Sequence, residues 1–260
     1  MELNKIYNED CLEGMKRIPD KSVDMILCDL PYGTTACAWD TIIPFEPLWA
    51  EYNRVIKDNG AIVLTSSQPF TSALVMSNPK SFKYEWVWHK TRVTGNLNAK
   101  RMPLKAHESV LVFSKKPHNY FPLKTLAPEE KIDRRKNVNN SIVKEGGSYN
   151  GSKKFVNVRK KDDGTRYPTS VQVFKNPNNN LIHPTQKPVP LFEYLIKTYT
   201  NKGETVLDNC MGSGTTAIAC INTERNFIGF ELDETYYNKS LERIKNHAPQ
   251  TDIFNLLEVD

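Results

Sequence analysis

The sequence has no long apolar run. Of its 260 residues, 39% are hydrophobic and 25% are charged, and no stretch approaches the roughly 18 apolar residues that a membrane-spanning helix needs. The first ten residues, MELNKIYNED, also lack the basic and then apolar pattern of a secretory signal. These absences argue against a membrane partner and against secretion, so we expect a cytoplasmic protein.

Cysteine and histidine are sparse and show no metal-binding spacing. The five cysteines form no C-x-x-C pair, and the five histidines form no H-x-x-x-H pair. An odd number of cysteines without paired spacing argues for free thiols rather than a disulfide framework. We therefore expect no structural metal.

Net positive charge is absent outside one segment. The chain carries a net charge of +5, but residues 115–180 hold 15 Lys and Arg against 6 Asp and Glu, which leaves −4 for the rest. This segment is rich in Asn, Gly and Lys and poor in apolar residues, as is typical of a solvated insertion. We predict an insertion at residues 116–180 between two halves of one larger domain, residues 1–115 and 181–260.

Strand-like and helix-like stretches alternate in both halves. The apolar runs SVDMILCD, GAIVLTSS and FIGFELD predict buried strands, and YEWVWHK and HESVLVFSK are β-rich runs. Apolar residues at helical spacing after residues 45 and 188 predict helices, and Tyr237, Leu241 and Ile244 form the stripe of a closing helix. Such alternation is typical of an α/β fold with a doubly wound, mostly parallel sheet.

The stretch CDLPYG, residues 28–33, follows one of these buried strands. Open α/β sheets bind ligands at the carboxyl ends of their strands, so Asp29, the rigid Pro31 and the flat ring of Tyr32 indicate a site for a planar polar molecule. The alternative is a strand-ending turn in which Asp29 caps the turn and Tyr32 packs at its rim.

A second candidate site is the glycine-rich turn in VLDNCMGSGTT. Gly212 and Gly214 stand between a strand and a helix, where backbone can approach a ligand closely. Thr215 replaces the Lys of a P-loop, and residues 205–224 contain no Lys or Arg, which disfavours a polyphosphate. Glu231, at the end of the next strand, can bind the two hydroxyls of a ribose. Ribose without phosphate suggests S-adenosylmethionine, although a G-x-G turn can also serve only for packing.

Three motifs, DLPY, HPTQKP and DNCMGSGTT, follow one another along the chain. In this order they resemble the catalytic, methionine-end and cofactor-loop motifs of the β-class DNA amino-methyltransferases of the adenine-N6 type, and the resemblance covers essentially the whole chain. It implies a Rossmann-like methyltransferase fold, S-adenosylmethionine as cofactor, double-stranded DNA as substrate and a target-recognition role for the basic insertion. It is also compatible with a homodimer and with restriction-modification, although the sequence indicates no partner endonuclease.

The resemblance implies roles for individual residues. Asp29 and the Leu30 carbonyl would accept the two N–H hydrogens of adenine N6. Pro31 would fix the turn, and Tyr32 would stack on a base flipped out of the duplex. Positions that match the cofactor motifs would contact S-adenosylmethionine: Asp10, Cys11, His183, Thr185, Lys187, Asp208, Gly212, Gly214, Thr215 and Glu231. Among these, Asp10 would contact its adenine, Glu231 its ribose and Lys187 its methionine carboxylate.

DNA contacts are expected mainly in the basic insertion, where Lys and Arg side chains can bind phosphates. The candidates are Arg134, Arg135, Lys136, Lys153, Lys154, Arg159, Lys160, Lys161 and Arg166. Trp39 is a further candidate, as a lid over the flipped base. A solvated tail is the alternative for the insertion, and core packing is the alternative for Trp39.

Two positions depart from the family pattern. Leu30 replaces a second proline, and Asn209 with Cys210 replaces Pro-Phe in the cofactor loop. Asp29 favours adenine, because the cytosine-N4 group more often has Ser there, but the N4 amine of cytosine presents the same two N–H hydrogens. A cytosine-N4 enzyme and a catalytically inactive DNA-binding module are therefore the alternative functions. For single residues, His183 can be a helix cap and Asp10 a turn former.

Overall fold

The computed structural model describes residues 1–35, 37, 40–128, 164–177, 182–183 and 185–247. The chain forms two compact units, one of residues 1–121 with 169–260 and one of residues 122–168. The boundaries expected from the sequence, at 115/116 and 180/181, stay predictions. Within the described ranges, none of the helices combines the length and the apolar character that crossing a membrane requires.

Ten strands are formed by the described residues. In chain order they are β1 (Lys5–Tyr7), β2 (Val23–Cys28), β3 (Ile56–Ser66), β4 (Phe82–Thr94), β5 (Lys105–Phe113), β6 (Thr125–Leu126), β7 (Thr165–Arg166), β8 (Val171–Phe174), β9 (Thr205–Asp208) and β10 (Asn226–Phe230). In the smaller unit β6 pairs antiparallel with β7, and the Lys124 ammonium lies 4.7 Å from the centre of the Tyr167 ring.

Helices connect these strands in the larger unit. They are α1 (Cys11–Met15), α2 (Phe45–Val55), α3 (Phe70–Ser77), α4 (Val189–Tyr199), α5 (Thr215–Thr223) and α6 (Glu234–His247), with a short 3-10 turn at Asn96–Asn98. The sequence pattern predicted all of the long helices except α3, whose residues are too uniformly apolar to show a helical stripe.

The eight larger-unit strands among the described residues form one sheet in the order β1-β10-β9-β2-β3-β5-β4-β8. The strands from β1 to β3 in this order are parallel, and β4 is parallel to β8. Only β5 runs antiparallel to its neighbours, β3 and β4. The predicted mostly parallel, doubly wound sheet is therefore confirmed. The direction of β5 was not predicted, because a short apolar run indicates burial but not strand direction.

Both faces of the sheet are covered. Met25 and Leu27 of β2 belong to a core shared with α4 and α5, whereas Ile26 and Cys28 belong to a core shared with α1, α2 and α3. Successive side chains of a strand point to opposite faces, so a strand covered on both sides is mostly apolar. This explains why β2 is a continuous buried run that ends abruptly at a carboxylate. The one carboxylate within β2, Asp24, is paired with Lys57 at 2.6 Å.

One edge of the sheet collects the polar side chains that follow these strands, and we call it the ligand edge. The carboxyl ends of β1, β2, β3, β9 and β10 meet there because these strands are parallel. β4 also ends at this edge, and the antiparallel β5 begins there. The topology therefore places Lys90 of β4 and Glu108 of β5 at the same edge as Asp29.

Candidate active site

A cavity of about 850 Å³ lies at the ligand edge. It is lined by all of the residues predicted for catalysis and cofactor binding except Gly214: Asp10, Cys11, Asp29, Leu30, Pro31, Tyr32, His183, Thr185, Lys187, Asp208, Gly212, Thr215 and Glu231. Gly214 instead begins α5 with φ +76°, where an added Cβ would lie 3.3 Å from the Ser240 side chain. The sequence motifs thus converge on one cavity.

Asp29 directly follows β2 and is held by three side chains. The Tyr32 hydroxyl donates to Asp29 Oδ1 at 2.7 Å, and the buried Thr65 hydroxyl at the end of β3 donates to the same oxygen. The Lys187 ammonium donates to Asp29 Oδ2 at 2.5 Å. The carboxylate therefore has a fixed orientation at the cavity wall.

A network of buried charges surrounds Lys187. Its ammonium also lies 3.6 Å from Glu108 Oε2, and Lys90 donates to Glu108 Oε1 at 2.5 Å. Glu108 Oε2 is buried and has no hydrogen-bond partner within the described part of the chain. The network thus contains two ammonium groups and two carboxylates, so the formal charges of these four groups balance.

The pKa shifts support ion pairs in this network. Burial alone would lower the pKa of Lys187, but the carboxylates of Asp29 and Glu108 outweigh burial and raise it. Burial alone would raise the pKa of Glu108, but Lys187 and Lys90 outweigh burial and lower it. Both shifts keep the groups charged. Sequence analysis did not single out Lys90 or Glu108, which stand in ordinary β-rich runs.

The loop after Asp29 is fixed by its own contacts. The Leu30 side chain is buried in the core that contains α1, α2 and α3, so the residue that replaces proline anchors the loop by packing. The Tyr32 ring stacks on Phe70, with ring centres 5.1 Å apart. Asp40 accepts hydrogen bonds from the backbone N–H groups of Gly33, Thr34 and Thr35 at 2.9, 2.8 and 2.7 Å, a role that the sequence did not reveal.

The glycine-rich turn is organised by Asp208, the last residue of β9. Its carboxylate is buried, accepts from the Cys210 N–H at 3.0 Å and accepts from the Thr216 hydroxyl. Burial raises the pKa of Asp208 to about 6. The hydrogen bonds of Asp208 therefore stabilise the turn, although burial makes the ionised carboxylate less favourable than it would be in water.

Glu231, the residue after β10, binds the backbone of the glycine-rich turn. Its Oε2 atom accepts from the Gly212 N–H at 2.7 Å, and its Oε1 atom accepts from the Asp233 N–H at 2.9 Å. Burial raises the pKa of Glu231. Gly212 has φ +54°, and an added Cβ would meet nothing closer than 3.9 Å, so this glycine serves the backbone conformation.

Two further residues hold the turn: Asn209, which the sequence marked only as a departure from the family pattern, and Arg243, which the sequence analysis did not single out. Asn209 is buried and accepts from the Tyr52 hydroxyl at 2.5 Å, and its amide lies 3.5 Å from the sulfurs of Cys11 and Cys210. Arg243 of α6 donates to the Ser213 carbonyl at 2.8 Å. Asn209 in place of proline thus exchanges a rigid ring for hydrogen bonds.

The remaining cofactor candidates combine a local contact with a place at the cavity. Asp10 caps α1 by accepting from the Leu12 N–H at 2.8 Å. His183 Nδ1 lies 3.0 Å from the Thr185 hydroxyl, and burial lowers the pKa of His183. Asp10 therefore has a local role as a helix cap, whereas the sequence alternative was a turn former, and its contact with a cofactor stays a prediction.

Most of the predicted DNA contacts lie outside the described residues. This applies to Trp39, Arg134, Arg135, Lys136, Lys153, Lys154, Arg159, Lys160 and Lys161. Arg166 is described, lies in β7 and donates to the Thr165 carbonyl at 2.7 Å. Its role in DNA binding, like that of the others, stays a prediction.

Comparison with known families identifies the family of proteins to which the chain belongs. A family model for DNA methylase, named for N6 and N4 methyltransferases, matches residues 23–242. The chain belongs to this DNA methylase family. The fold and the family predicted from the three motifs are therefore confirmed.

Known relatives of this DNA methylase extend along almost the whole chain. It is 30% identical to the Type II methyltransferase M1.MboII of Moraxella bovis, over 92% of this chain and 96% of that protein. It is 29% identical to the DNA adenine methyltransferase YhdJ of Escherichia coli strain K12, over 94% of this chain and 83% of that protein. Among solved structures, the M1.HpyAVI-SAM complex has a TM-score of 0.62 at 26% identity, over 92% of this chain and 98% of that chain.

Proposed function

We propose that this DNA methyltransferase transfers a methyl group from S-adenosylmethionine to the N6 amine of an adenine in double-stranded DNA. The observation that carries the proposal is the position of Asp29, which shares one cavity with Glu231 and the glycine-rich turn. Asp29 would then accept from the amine of the target base beside a nucleoside cofactor held at the glycine-rich turn. The name of the relative YhdJ, a DNA adenine methyltransferase, supports adenine as the target.

The residues at the glycine-rich turn fit S-adenosylmethionine. Glu231 and Asp208 offer carboxylates at the cavity, and the Arg243 guanidinium already donates to the Ser213 carbonyl. A polyphosphate would therefore meet acidic groups, whereas a ribose with a cationic sulfur would be well tolerated. When bound, S-adenosylmethionine supplies an electrophilic methyl group on a sulfonium centre. Asp10, His183 and Thr185 would complete its binding site.

Asp29 would act on the amine of the target base. A carboxylate has about four acceptor positions, and Tyr32, Thr65 and Lys187 take three of them. One position on Oδ2 is left for an N–H of the base, while the Leu30 carbonyl would accept the second N–H. Two acceptors draw the nitrogen toward a tetrahedral arrangement and expose its lone pair. Most of the rate enhancement then comes from positioning.

Tyr32 and the lysines would prepare the site for the base. The bond from the Tyr32 hydroxyl to Asp29 and the stacking on Phe70 fix the ring at the cavity wall, where it would stack on a flipped base. Lys187 lies between Asp29 and Glu108 and offsets their negative charge. Asp29 can therefore stay ionised beside an uncharged purine. Extraction of the base from the duplex costs a few kcal/mol, which phosphate contacts of the basic insertion would offset.

Nucleoside analysis tests the proposed function. Plasmid DNA would be prepared from cells that lack endogenous DNA methylation and express either this chain or its Asp29→Ala variant. We expect N6-methyladenine from the wild type and none from the variant. Detection of N4-methylcytosine instead of N6-methyladenine would identify cytosine as the target. Unmodified DNA from a wild-type protein that folds and binds DNA would support the inactive binding module. Sequencing of the same DNA identifies the recognition site.

A further inference from the structure

The connection between β4 and β5, residues 95–104, exposes apolar side chains near the cavity, and we call it the β4–β5 loop. Residues 91–104 are all exposed. Leu97 is fully exposed, at 102% relative accessibility, and Met102 is 57% exposed. Large apolar side chains that face water in this way mark contact surfaces when they occur together.

The β4–β5 loop has a defined backbone. Gly95 takes φ +94° and is followed by a 3-10 turn. The Asn98 N–H donates to the Gly95 carbonyl at 2.9 Å, and the N–H groups of Arg101 and Met102 donate to the Asn98 carbonyl at 2.8 and 3.0 Å. These bonds present Leu97 at the tip of an ordered turn.

The loop is positively charged and begins at the cavity. Residues 92–107 contain Arg92, Lys100, Arg101 and Lys105 and no Asp or Glu. Arg92, Thr94 and Lys105 line the same cavity as Asp29. A basic, apolar turn therefore projects from the rim of the pocket that must receive the target base.

We propose that the β4–β5 loop is a DNA contact separate from the basic insertion. Lys100 and Arg101 bind backbone phosphates beside the target nucleotide, and Leu97 packs against the bases that lose their neighbour when the target is withdrawn. Apolar side chains that insert at such positions stabilise unstacked DNA. The four cations favour a polyanion over a second copy of this positively charged loop. This inference rests on the proposed function and adds a means of holding the opened duplex.

The test compares two DNA substrates for each variant. Both contain the recognition site, with the target base either paired normally or opposite an abasic site, where withdrawal costs less. We expect Leu97→Ala to lower kcat/KM about tenfold on the paired duplex and to leave the abasic substrate near the wild-type value. Met76→Ala is the matched control, because Met76 is 72% exposed on α3 and lies outside the cavity lining.

Two results would overturn the role of Leu97. One is wild-type activity of Leu97→Ala on the paired duplex, and the other is an equal loss on both substrates. A dimer that forms without DNA and disappears in Leu97→Ala would assign the loop to a second copy and would also overturn the proposal.

The phosphate contacts have a separate readout. The Lys100→Ala/Arg101→Ala double variant should reduce the slope of log Kd against log salt by about 1.8, the value for two lost phosphate contacts. An unchanged slope would remove these residues from the DNA interface. If the wild type transferred no methyl group to any DNA, the proposed function would fail, whereas the salt slope would still decide whether the loop binds DNA.

Discussion

The Lys187 ammonium lies 2.5 Å from Asp29 Oδ2, although 158 residues separate the two in sequence. The pair joins the HPTQKP motif to the DLPY motif and connects the cofactor half of the cavity with the acceptor half. The sequence pattern predicted a partner for Lys187 in the methionine carboxylate of the cofactor. In this structure its partners are two carboxylates of the chain itself, and a contact with the cofactor stays a prediction.

Lys187→Met should destabilise the protein. The change leaves the partly buried carboxylates of Asp29 and Glu108 without their shared cation, and removing one partner of a buried ion pair costs up to about 3–5 kcal/mol. Urea unfolding measures the loss. Lys197→Met, at an exposed position of α4, is the control. Partial recovery in the Lys187→Met/Glu108→Gln double variant would identify the unpaired charge as the cause, and no recovery would argue against it.

Asp29→Ala should abolish methyl transfer without removing the cofactor site. We expect kcat to fall by about 10²–10⁴-fold, while binding of S-adenosylhomocysteine, measured by calorimetry, stays close to that of the wild type. Asp20→Ala, at a solvent-exposed residue, should change neither quantity. Retained turnover would exclude Asp29 from the mechanism, and a parallel loss of affinity would instead make it a cofactor ligand.

Asp208→Asn should alter the pH dependence of stability. The pKa of Asp208 is about 6 in the folded protein and about 3.9 in an unfolded chain. The folded state therefore binds the proton more tightly, so the stabilising contribution of the protonated carboxyl is complete below pH 4 and lost as the pH rises through 6. Asn has no such dependence. We expect the free energy of unfolding of the cofactor-free variant, measured by thermal unfolding, to rise relative to that of the wild type by up to about 3 kcal/mol as the pH increases between these limits. The same pH dependence of stability in both proteins would contradict the raised pKa of Asp208.

Glu231→Gln should weaken cofactor binding. The variant keeps one acceptor for the Gly212 N–H but loses the charge that would bind ribose hydroxyls, and hydrogen bonds to charged groups contribute about 1.5–3 kcal/mol. Titration with S-adenosylhomocysteine should show a Kd raised by about 10- to 100-fold. Glu234→Gln, at the exposed start of α6, should bind normally. An unchanged Kd for Glu231→Gln would place the ribose elsewhere.

Replacement of Arg134, Arg135 and Lys136 by Ala should weaken DNA binding most at low salt, where phosphate contacts contribute most. Three lost phosphate contacts reduce the slope of log Kd against log salt by about 2.7. A control variant with Ala at the exposed residues Lys80, Lys83 and Lys197 should keep the wild-type slope. The same slope in both variants would count against a specific phosphate role for the basic insertion.

The interior contacts of the site show where sequence patterns stop being informative. Lys90 and Glu108 were read only as parts of β-rich runs, and Arg243 only as part of a helix. Each becomes part of the site because of strand order or helix packing: the antiparallel β5 places Glu108 beside Lys187, and α6 places Arg243 on the glycine-rich turn. Such pairings depend on which strands and helices are neighbours in space, and the local periodicity of the sequence does not predict that.

The sequence alone determined the alternation of strands and helices, the two loops that follow buried strands, and the three ordered motifs that identified the family and its cofactor. These features are local, because burial, turn formation and backbone approach are set by neighbouring residues. Only the tertiary structure decided that Asp29 is bound by Lys187 and Thr65, that Glu108 and Lys90 balance this pair, and that the β4–β5 loop projects from the cavity rim. Charges interact according to their separation in space, and the fold alone fixes that separation.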